Sequence, residues 1–529
     1  MGRTEEKRYE GLSPFELKNK LIKMAQSYDE RMMLNAGRGN PNWVTMVPRQ
    51  AFSQLNLFAT EEAERAPHRP RLGSTPEKDG IADRFLQYLK KNSDAPGITF
   101  LKNAFEYVSS ELKFDRDEFM GEMVDAILGD HYPTPDRMLT FCEKVVHKYL
   151  DQEMCAGSPP PGKFDIFATE GGTAAMDYIF SSLMENKLLH KGDKIALGTP
   201  IFTPYLEIPY LNDYEFVELE IEQDENNDWQ YSDEQIKKLE DPKVKAFFIV
   251  NPSNPTSVSM QEETLNKIAE LVKTKRKDLI LLTDDVYGTF VNNFKSLAAV
   301  APENTILVYS YSKYFGATGW RLGVIGIHQN NIFDKKIKAL SQEDRDALHQ
   351  RYSTVELDPD NMKFIDRMVA DSRSVALHHT AGLSTPQQVL MVLFSLYCLT
   401  DKNNEYKKET QSVVAERFKT LYDALGVPGP NNEYDAHYYT TIDVPQLAED
   451  RYGKDFREHM VNDHEPIDFV WRLAEEQSIV LMDGGGFDAP NMSVRVSLAN
   501  LSDDAYAKIG KGISDLLDEY HSSWNGGNK

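Results

Sequence analysis

The sequence contains few cysteines. Cys142, Cys155 and Cys398 are the only ones among 529 residues. They form no C-x-x-C pair and their number is odd, which argues against a disulfide framework and against a cysteine-bound metal. A chain of this length can bury a sufficient core without either support. We therefore expect free thiols and a cytoplasmic location. We also expect no metal site, since the adjacent residues His378 and His379 would face different ways on a helix.

Long apolar segments are also missing. The longest apolar run extends from Val389 to Leu399, 11 residues that include Ser395. It is too short to span a bilayer and predicts a buried helix. The first residues of the chain are charged and lack the apolar segment of a secretory signal. We expect no membrane partner.

Basic residues are outnumbered by acidic ones. Lys and Arg number 59 against 83 Asp and Glu, for a formal net charge of −24. Nucleic-acid binding depends on neutralising phosphates with Lys and Arg, so the balance argues against nucleic acid as a general partner. With 41% hydrophobic and 27% charged residues, the composition is that of a globular protein.

Short β-rich runs alternate with helical segments between residues 160 and 327. This alternation predicts an α/β fold with a mainly parallel sheet that is covered by helices on both faces. The runs lie at 164–169, 194–197, 244–250, 279–283, 305–310 and 321–327.

The remaining segments predict two further regions. We expect residues 1–60 to form an N-terminal arm and substrate-loop segment that belongs to a small domain. Residues 61–400 would form a large domain, including a charged helical insert at 328–380. Residues 401–529 would form the rest of the small domain, of α+β type.

Polar motifs follow the ends of several runs. In an open α/β sheet, ligands bind beyond the carboxyl ends of the strands. The motifs are E-G-G-T (170–173), N-P-S-N-P-T (251–256), D-D-V-Y (284–287) and Y-S-K-Y-F-G (311–316). One edge of the sheet would therefore collect Gly172, Thr173, Asn254, Asp284, Tyr287, Ser310 and Lys313.

Each motif alone allows two interpretations. The start of a helix at Gly172 suits a phosphate, or is an ordinary N-cap turn. Asp284 would face a protonated ring nitrogen or cap the next helix. Lys313, with Arg321 eight residues later, would place an amine able to form a Schiff base beside a phosphate site, or would be a surface lysine.

Taken together and in order, the motifs resemble those of the fold-type I enzymes that use pyridoxal 5′-phosphate (PLP), an aminotransferase-like family. The match runs from Tyr132 to Arg495, and its most specific element is S-x-S-K-x-x-G-x-x-G-x-R-x-G at 310–323. The resemblance implies PLP as cofactor. It also implies a large domain with a mainly parallel seven-stranded sheet and a smaller α+β domain.

The resemblance assigns catalytic roles to three residues. Lys313 would bind PLP as a Schiff base and carry protons, and Asp284 would pair with the pyridine nitrogen. Tyr287, together with Asn254, would hold the phenolic oxygen.

The same resemblance implies the remaining contacts. Phe202 would stack on the ring, Tyr132 would reach the phosphate of a neighbouring subunit, and Arg495 would bind the substrate α-carboxylate. Ser257 stands where the commoner N-P-T-G pattern has glycine, and this departure puts the usual geometry of that turn in doubt. The phosphate would be held by Gly172, Thr173, Ser310 and Arg321.

Other features resemble the aspartate 4-decarboxylases of this family. The chain is long before Tyr132 and contains the 328–380 insert, and the segment 378–388 lacks the arginine that usually clamps a distal carboxylate. In the loop at 35–43, Arg38 is our candidate for guiding that carboxylate, with a surface arginine as the equal alternative. Gly39 and Asn254 complete the expected substrate contacts.

The implied reaction is the conversion of L-aspartate to L-alanine and CO₂ through a ketimine, with a secondary aspartate aminotransferase activity. An aminotransferase without decarboxylation is the alternative enzyme. A catalytically inactive PLP-fold regulatory or structural protein is the alternative of another class. The resemblance also implies a homodimer with shared active sites that assembles into a dodecamer.

Overall fold

The computed structural model describes residues 3–10, 12–26, 33–66, 69, 71–211, 217–222, 227–378 and 380–527. The helices are α1 (Arg3–Tyr9), α2 (Pro14–Ala25), α3 (Met46–Arg65), α4 (Ile81–Lys91), α5 (Ile98–Ser110), α6 (Arg116–Leu128), α7 (Thr140–Met154), α8 (Gly172–Glu185), α9 (Thr203–Leu211), α10 (Asp233–Lys237), α11 (Glu262–Thr274), α12 (Leu297–Val300), α13 (Ile332–Lys338), α14 (Gln342–Tyr352), α15 (Phe364–Ser372), α16 (Thr385–Thr400), α17 (Glu405–Leu425), α18 (Val444–Tyr452), α19 (Lys454–Asp463), α20 (Asp468–Gln477) and α21 (Asp503–Gly527). The strands are β1 (Leu34–Asn35), β2 (Phe164–Thr169), β3 (Lys194–Thr199), β4 (Val217–Glu222), β5 (Val244–Val250), β6 (Ile280–Asp284), β7 (Thr305–Ser310), β8 (Gly323–His328), β9 (Tyr439–Asp443), β10 (Ile479–Val480), β11 (Met482–Asp483) and β12 (Ser493–Ser497).

The central sheet has seven strands in the order β2-β8-β7-β6-β5-β3-β4. Neighbouring strands are parallel except for β8, which is antiparallel to both β2 and β7. This confirms the predicted α/β fold with a mainly parallel, seven-stranded sheet. Six of the strands match the runs predicted from the sequence. The seventh, β4, lies at the sheet edge and has no matching run among those predictions.

Strand β5 shows why the strands of the central sheet consist of consecutive apolar residues. Phe248 and Val250 pack into the largest hydrophobic cluster, while Phe247 and Ile249 point to the opposite face and pack into a separate cluster. Successive side chains of a strand face opposite sides, and a sheet covered on both faces needs apolar residues at every position. The sheet is therefore the middle layer between two helical layers.

The apolar run predicted to be a buried helix lies in α16. Its side chains from Gln388 to Leu396 are all buried, and the helix packs against α3, α5, α6 and α7. It thus forms the centre of a helical layer within the protein. Among the described residues, no helix combines the length and apolarity needed to cross a membrane.

A second, smaller hydrophobic core belongs to the antiparallel sheet β11-β12-β9 and the helices α17, α20 and α21. The N-terminal helix α2 packs against α20, and Leu17 and Leu21 are part of this core. The assignment of the whole N-terminal segment to a small domain stays a prediction.

Helix α3 packs in the larger core instead, through Leu55 and Phe58. The apolar face of α3 is covered by α5, α6 and α16. The full division into domains stays a prediction. The segment at 328–380 contains α13, α14 and α15, as its helical pattern predicts.

Candidate active site

One pocket of about 220 Å³ lies at the edge where the parallel strands end. The chain enters it just after β2, β5, β6 and β7, and just before the antiparallel strand β8, which begins at the same edge. The pocket brings together eleven of the thirteen predicted site residues: Gly39, Gly172, Thr173, Phe202, Asn254, Asp284, Tyr287, Ser310, Lys313, Arg321 and Arg495.

One end of the pocket is built to receive an anion. Helix α8 begins at Gly172 without a side-chain cap, so the N–H groups of its first turn have no intrahelical acceptor. The guanidinium of Arg321 lies against Gly171, leaving no room there for a Cβ atom. Ser310 adds a hydroxyl that donates to Ser312 Oγ at 2.9 Å or to the Leu322 carbonyl at 3.2 Å. These groups fit a phosphate.

Asp284 ends strand β6 and is buried beneath the pocket. Its carboxylate accepts a hydrogen bond from the Tyr205 hydroxyl and one from the Val286 N–H at 3.2 Å. Burial raises the pKa of Asp284 to about 6, although these hydrogen bonds and Lys313 act in the opposite direction. A carboxylate destabilised by burial gains from a cationic partner, such as a protonated ring nitrogen.

Lys313 follows β7 and points into the pocket. Its amine donates to the carbonyl of Gly39 at 2.9 Å, and the same carbonyl accepts from the Tyr438 hydroxyl at 2.9 Å. A Cβ atom at Gly39 would lie 3.0 Å from Lys313 Nζ and 2.5 Å from Tyr439 Oη. A side chain at Gly39 would therefore collide with the Tyr439 hydroxyl and crowd the amine.

Arg495 lies on strand β12 of the smaller unit and is fully buried. Its guanidinium donates to Asn254 Oδ1 and to the Gly37 carbonyl, both at 2.9 Å. It stacks on the Tyr439 ring, with Cζ 4.2 Å from the ring centroid. Among the described residues no carboxylate pairs with it, and its Nε has no hydrogen-bond partner. A buried guanidinium with a free donor fits the carboxylate of a ligand.

Two predicted residues lie outside this pocket. Arg38 is exposed and does not line it, although Gly39 beside it does. Tyr132 is 70% exposed, a position from which a side chain can contact another subunit. The predicted roles of both residues, like those of the other site residues, stay predictions.

The structure adds residues that the sequence did not single out. Tyr205 lies three positions after Phe202, so a helical pattern could have placed both on one face. Phe15 and Tyr439 line the pocket from the smaller unit, and no local pattern identifies them. Lys18 lies near Arg495 and Arg38, and burial together with these cations lowers its pKa.

Comparisons with known proteins identify the family of the chain. The profile of the family described as "Aminotransferase class I and II" matches residues 164–513. A Pseudomonas sp protein described as "Bifunctional aspartate aminotransferase and L-aspartate beta-decarboxylase" is 49% identical over 97% of both chains.

Two solved structures show the same fold. The aspartate aminotransferase of Rhizobium meliloti has a TM-score of 0.61 at 15% identity, and that of Thermus thermophilus with maleate has 0.59 at 17%. Each comparison covers 96% of both chains. The predicted fold-type I architecture is thus confirmed, and the chain belongs to the class I and II aminotransferase family.

Proposed function

We propose that the protein is a PLP-dependent enzyme that removes the distal carboxylate of L-aspartate to form L-alanine and CO₂, with aspartate transamination as a second activity. The observation that carries this proposal is the pocket that holds Lys313, Asp284 and Arg495, none of which forms an ion pair with a described residue. The 49% identity to the bifunctional Pseudomonas protein supports the choice of reaction.

PLP is the cofactor of the class I and II aminotransferases, and the pocket has a suitable group for each of its parts. The uncapped start of α8 with Arg321 and Ser310 would hold the phosphate. Asp284 would pair with the ring nitrogen, and Tyr287 and Asn254 would face the phenolic oxygen. Phe202, half-buried at the pocket wall, would pack against the ring. When bound, PLP supplies an electron sink for carbanions at Cα and Cβ of the substrate.

Arg495 would bind the α-carboxylate of aspartate. Its position is determined before the substrate arrives, because Asn254, Gly37 and the Tyr439 ring each hold part of the guanidinium. A bidentate contact from such a preorganised group orients Cα and Cβ of the substrate towards Lys313.

The distal carboxylate must leave as CO₂, so strong binding of this group in the ground state would slow the reaction. Only contacts that strengthen in the transition state accelerate it. The segment 378–388 contains no arginine to clamp the group. Arg38 and Lys18, on the smaller unit near Arg495, would guide it by weaker, partly solvated interactions.

Lys313 would transfer the protons. A proton first leaves Cα. The bond between Cβ and the distal carboxylate then breaks, its electron pair stays with the substrate, and Cβ and then Cα each gain a proton to yield alanine. The Lys313 amine, held by the Gly39 carbonyl, is the pocket group suited to carry protons at these atoms. A side chain in place of Gly39 would crowd this amine and the Tyr439 hydroxyl.

The test is to supply the PLP-loaded protein with L-aspartate and no keto acid, and to measure alanine and CO₂. We expect continuous release of both over many turnovers. A single stoichiometric half-reaction would instead identify an aminotransferase. A protein that binds no PLP would support the regulatory or structural alternative, and the Lys313→Ala variant provides the inactive reference.

We further propose that the protein functions in the cytoplasm as a homodimer with shared active sites, and that six dimers form a dodecamer. The exposed position of Tyr132 supports a contact with the phosphate site of a second subunit. Light scattering should give the mass of twelve chains. A monomer with full activity would refute the shared site, and Tyr132→Phe should weaken PLP retention without changing the fold.

A further inference from the structure

Tyr439 connects three parts of the pocket. It begins strand β9, and its hydroxyl lies 3.0 Å from the hydroxyl of Tyr287. The face of its ring supports the Arg495 guanidinium at 4.2 Å. Its hydroxyl also borders the space at Gly39 next to the Lys313 amine. Tyr439 thus contacts the groups proposed to bind the substrate and the phenolic oxygen of the cofactor.

The hydrogen bond between the two tyrosines has a defined direction when the cofactor is present. Tyr287 is fully buried, and burial together with neighbouring tyrosines raises its pKa well above the ordinary value. It therefore stays protonated and has one proton to donate. If Tyr287 donates that proton to the phenolic oxygen, then Tyr439 must be the donor in the bond between the two hydroxyls.

Ser257 helps to hold Tyr439 in place. Its Oγ accepts the backbone N–H of Tyr439 at 2.7 Å, and its carbonyl accepts the N–H of Ala436 at 2.9 Å. Ser257 has a φ of +65°, a conformation that favours glycine, and it stands where the commoner motif has glycine. Glycine would relieve the strain but leave the buried Tyr439 N–H without its acceptor.

We propose that Tyr439 is a positioning residue that donates to Tyr287 and so strengthens the hydrogen bond of Tyr287 to the phenolic oxygen of PLP, and that Ser257 holds Tyr439 in place. A phenol that accepts a hydrogen bond becomes a better donor. The inference rests on the proposed function, because it requires PLP in this pocket.

The test is a pH titration of the visible absorbance of the PLP-loaded protein without substrate. A donor to the phenolate oxygen stabilises the deprotonated chromophore, so loss of the donor raises the chromophore pKa. We expect Tyr439→Phe to raise it by roughly 0.2–0.5 units, and Tyr287→Phe to raise it further. In the Tyr287→Phe background, the Tyr439 change should have no added effect.

Tyr149→Phe is the matched control. Tyr149 forms a similar buried contact with the hydroxyl of Tyr309 at 2.7 Å, and it does not line the pocket. This variant should leave the chromophore pKa unchanged. Ser257→Ala and Ser257→Gly should both raise it, because each removes Oγ while only glycine relieves the φ strain.

The outcomes separate the two proposals. An unchanged chromophore pKa in Tyr439→Phe, or an additive effect in the double variant, would overturn the role of Tyr439 while leaving the proposed function intact. A recovery of the wild-type value in Ser257→Gly, but not in Ser257→Ala, would overturn the role of the Ser257 hydroxyl. A wild-type protein that binds no PLP would refute the proposed function itself.

Discussion

The carboxylate of Asp284 should destabilise the cofactor-free protein. Its pKa is raised by burial from the ordinary 3.8 to about 6, and one pKa unit corresponds to about 1.4 kcal/mol. Keeping this group ionised at pH 7 therefore costs about 3 kcal/mol of folding free energy. Replacement by asparagine removes the charge and keeps the shape. The side-chain oxygen of this asparagine can accept a hydrogen bond from the Val286 N–H, and its NH₂ group can donate one to the Tyr205 hydroxyl.

The cost has a definite pH dependence. Because the folded-state pKa lies above the unfolded one, the folded protein binds the proton more tightly, and the penalty is present above pH 6. It shrinks as the pH falls through 6 towards 3.8, to less than about 1 kcal/mol at pH 4. The advantage of Asp284→Asn should therefore be large at pH 7 and almost absent at pH 4.

The assay is thermal unfolding of the cofactor-free protein. For 529 residues, a gain of about 3 kcal/mol raises the midpoint by about 3 °C. The control is Asp278→Asn. The hydrogen bond from Arg276 lowers the pKa of Asp278, so removing this carboxylate should lower the midpoint at pH 7. The reasoning is refuted if Asp284→Asn lowers the midpoint at pH 7, or if its gain is the same at pH 4.

Three further predictions concern the loaded enzyme. Lys313→Ala should abolish the visible absorbance of the Schiff base and the release of CO₂ from aspartate; retained turnover would contradict the role of the amine. Arg495→Lys keeps the charge but loses the planar fork, and we expect kcat/KM for aspartate to fall about 10²-fold or more, as for the loss of one or two charge-assisted hydrogen bonds. PLP absorbance should be unchanged in this variant, and a loss below threefold would count against the contact. Arg38→Ala should lower alanine formation far more than PLP binding; unchanged alanine formation would remove Arg38 from the mechanism.

The main features of the fold follow from local patterns. Six strands of the central sheet read as apolar runs, since a strand covered on both faces needs apolar residues at consecutive positions. The polar residues after those runs then meet at one edge, because the chain direction of parallel strands is the same. Gly172, Asp284 and Lys313 could be placed in one pocket on this argument alone.

Local sequence patterns do not predict contacts between segments that are far apart in the chain. Asn254 and Arg495 are 241 positions apart, and their hydrogen bond depends on how the smaller unit packs against the sheet. Tyr439 and Phe15 reach the pocket for the same reason. Nothing in their neighbouring sequence distinguishes them from ordinary core residues, since both are aromatic residues in the first two positions of a regular element.

The charge of the pocket likewise depends on packing, whereas the net charge of the chain follows from the composition. The net charge of −24 follows from counting charged residues in the sequence. The cationic pocket exists because packing buries Arg495 and brings Lys313 and Arg321 to the same pocket, together with the carboxylate of Asp284. Local sequence patterns are sufficient to predict strands and the order of motifs, because both depend on neighbours along the chain. The direction of each side chain within the pocket depends on packing between segments that are far apart in sequence.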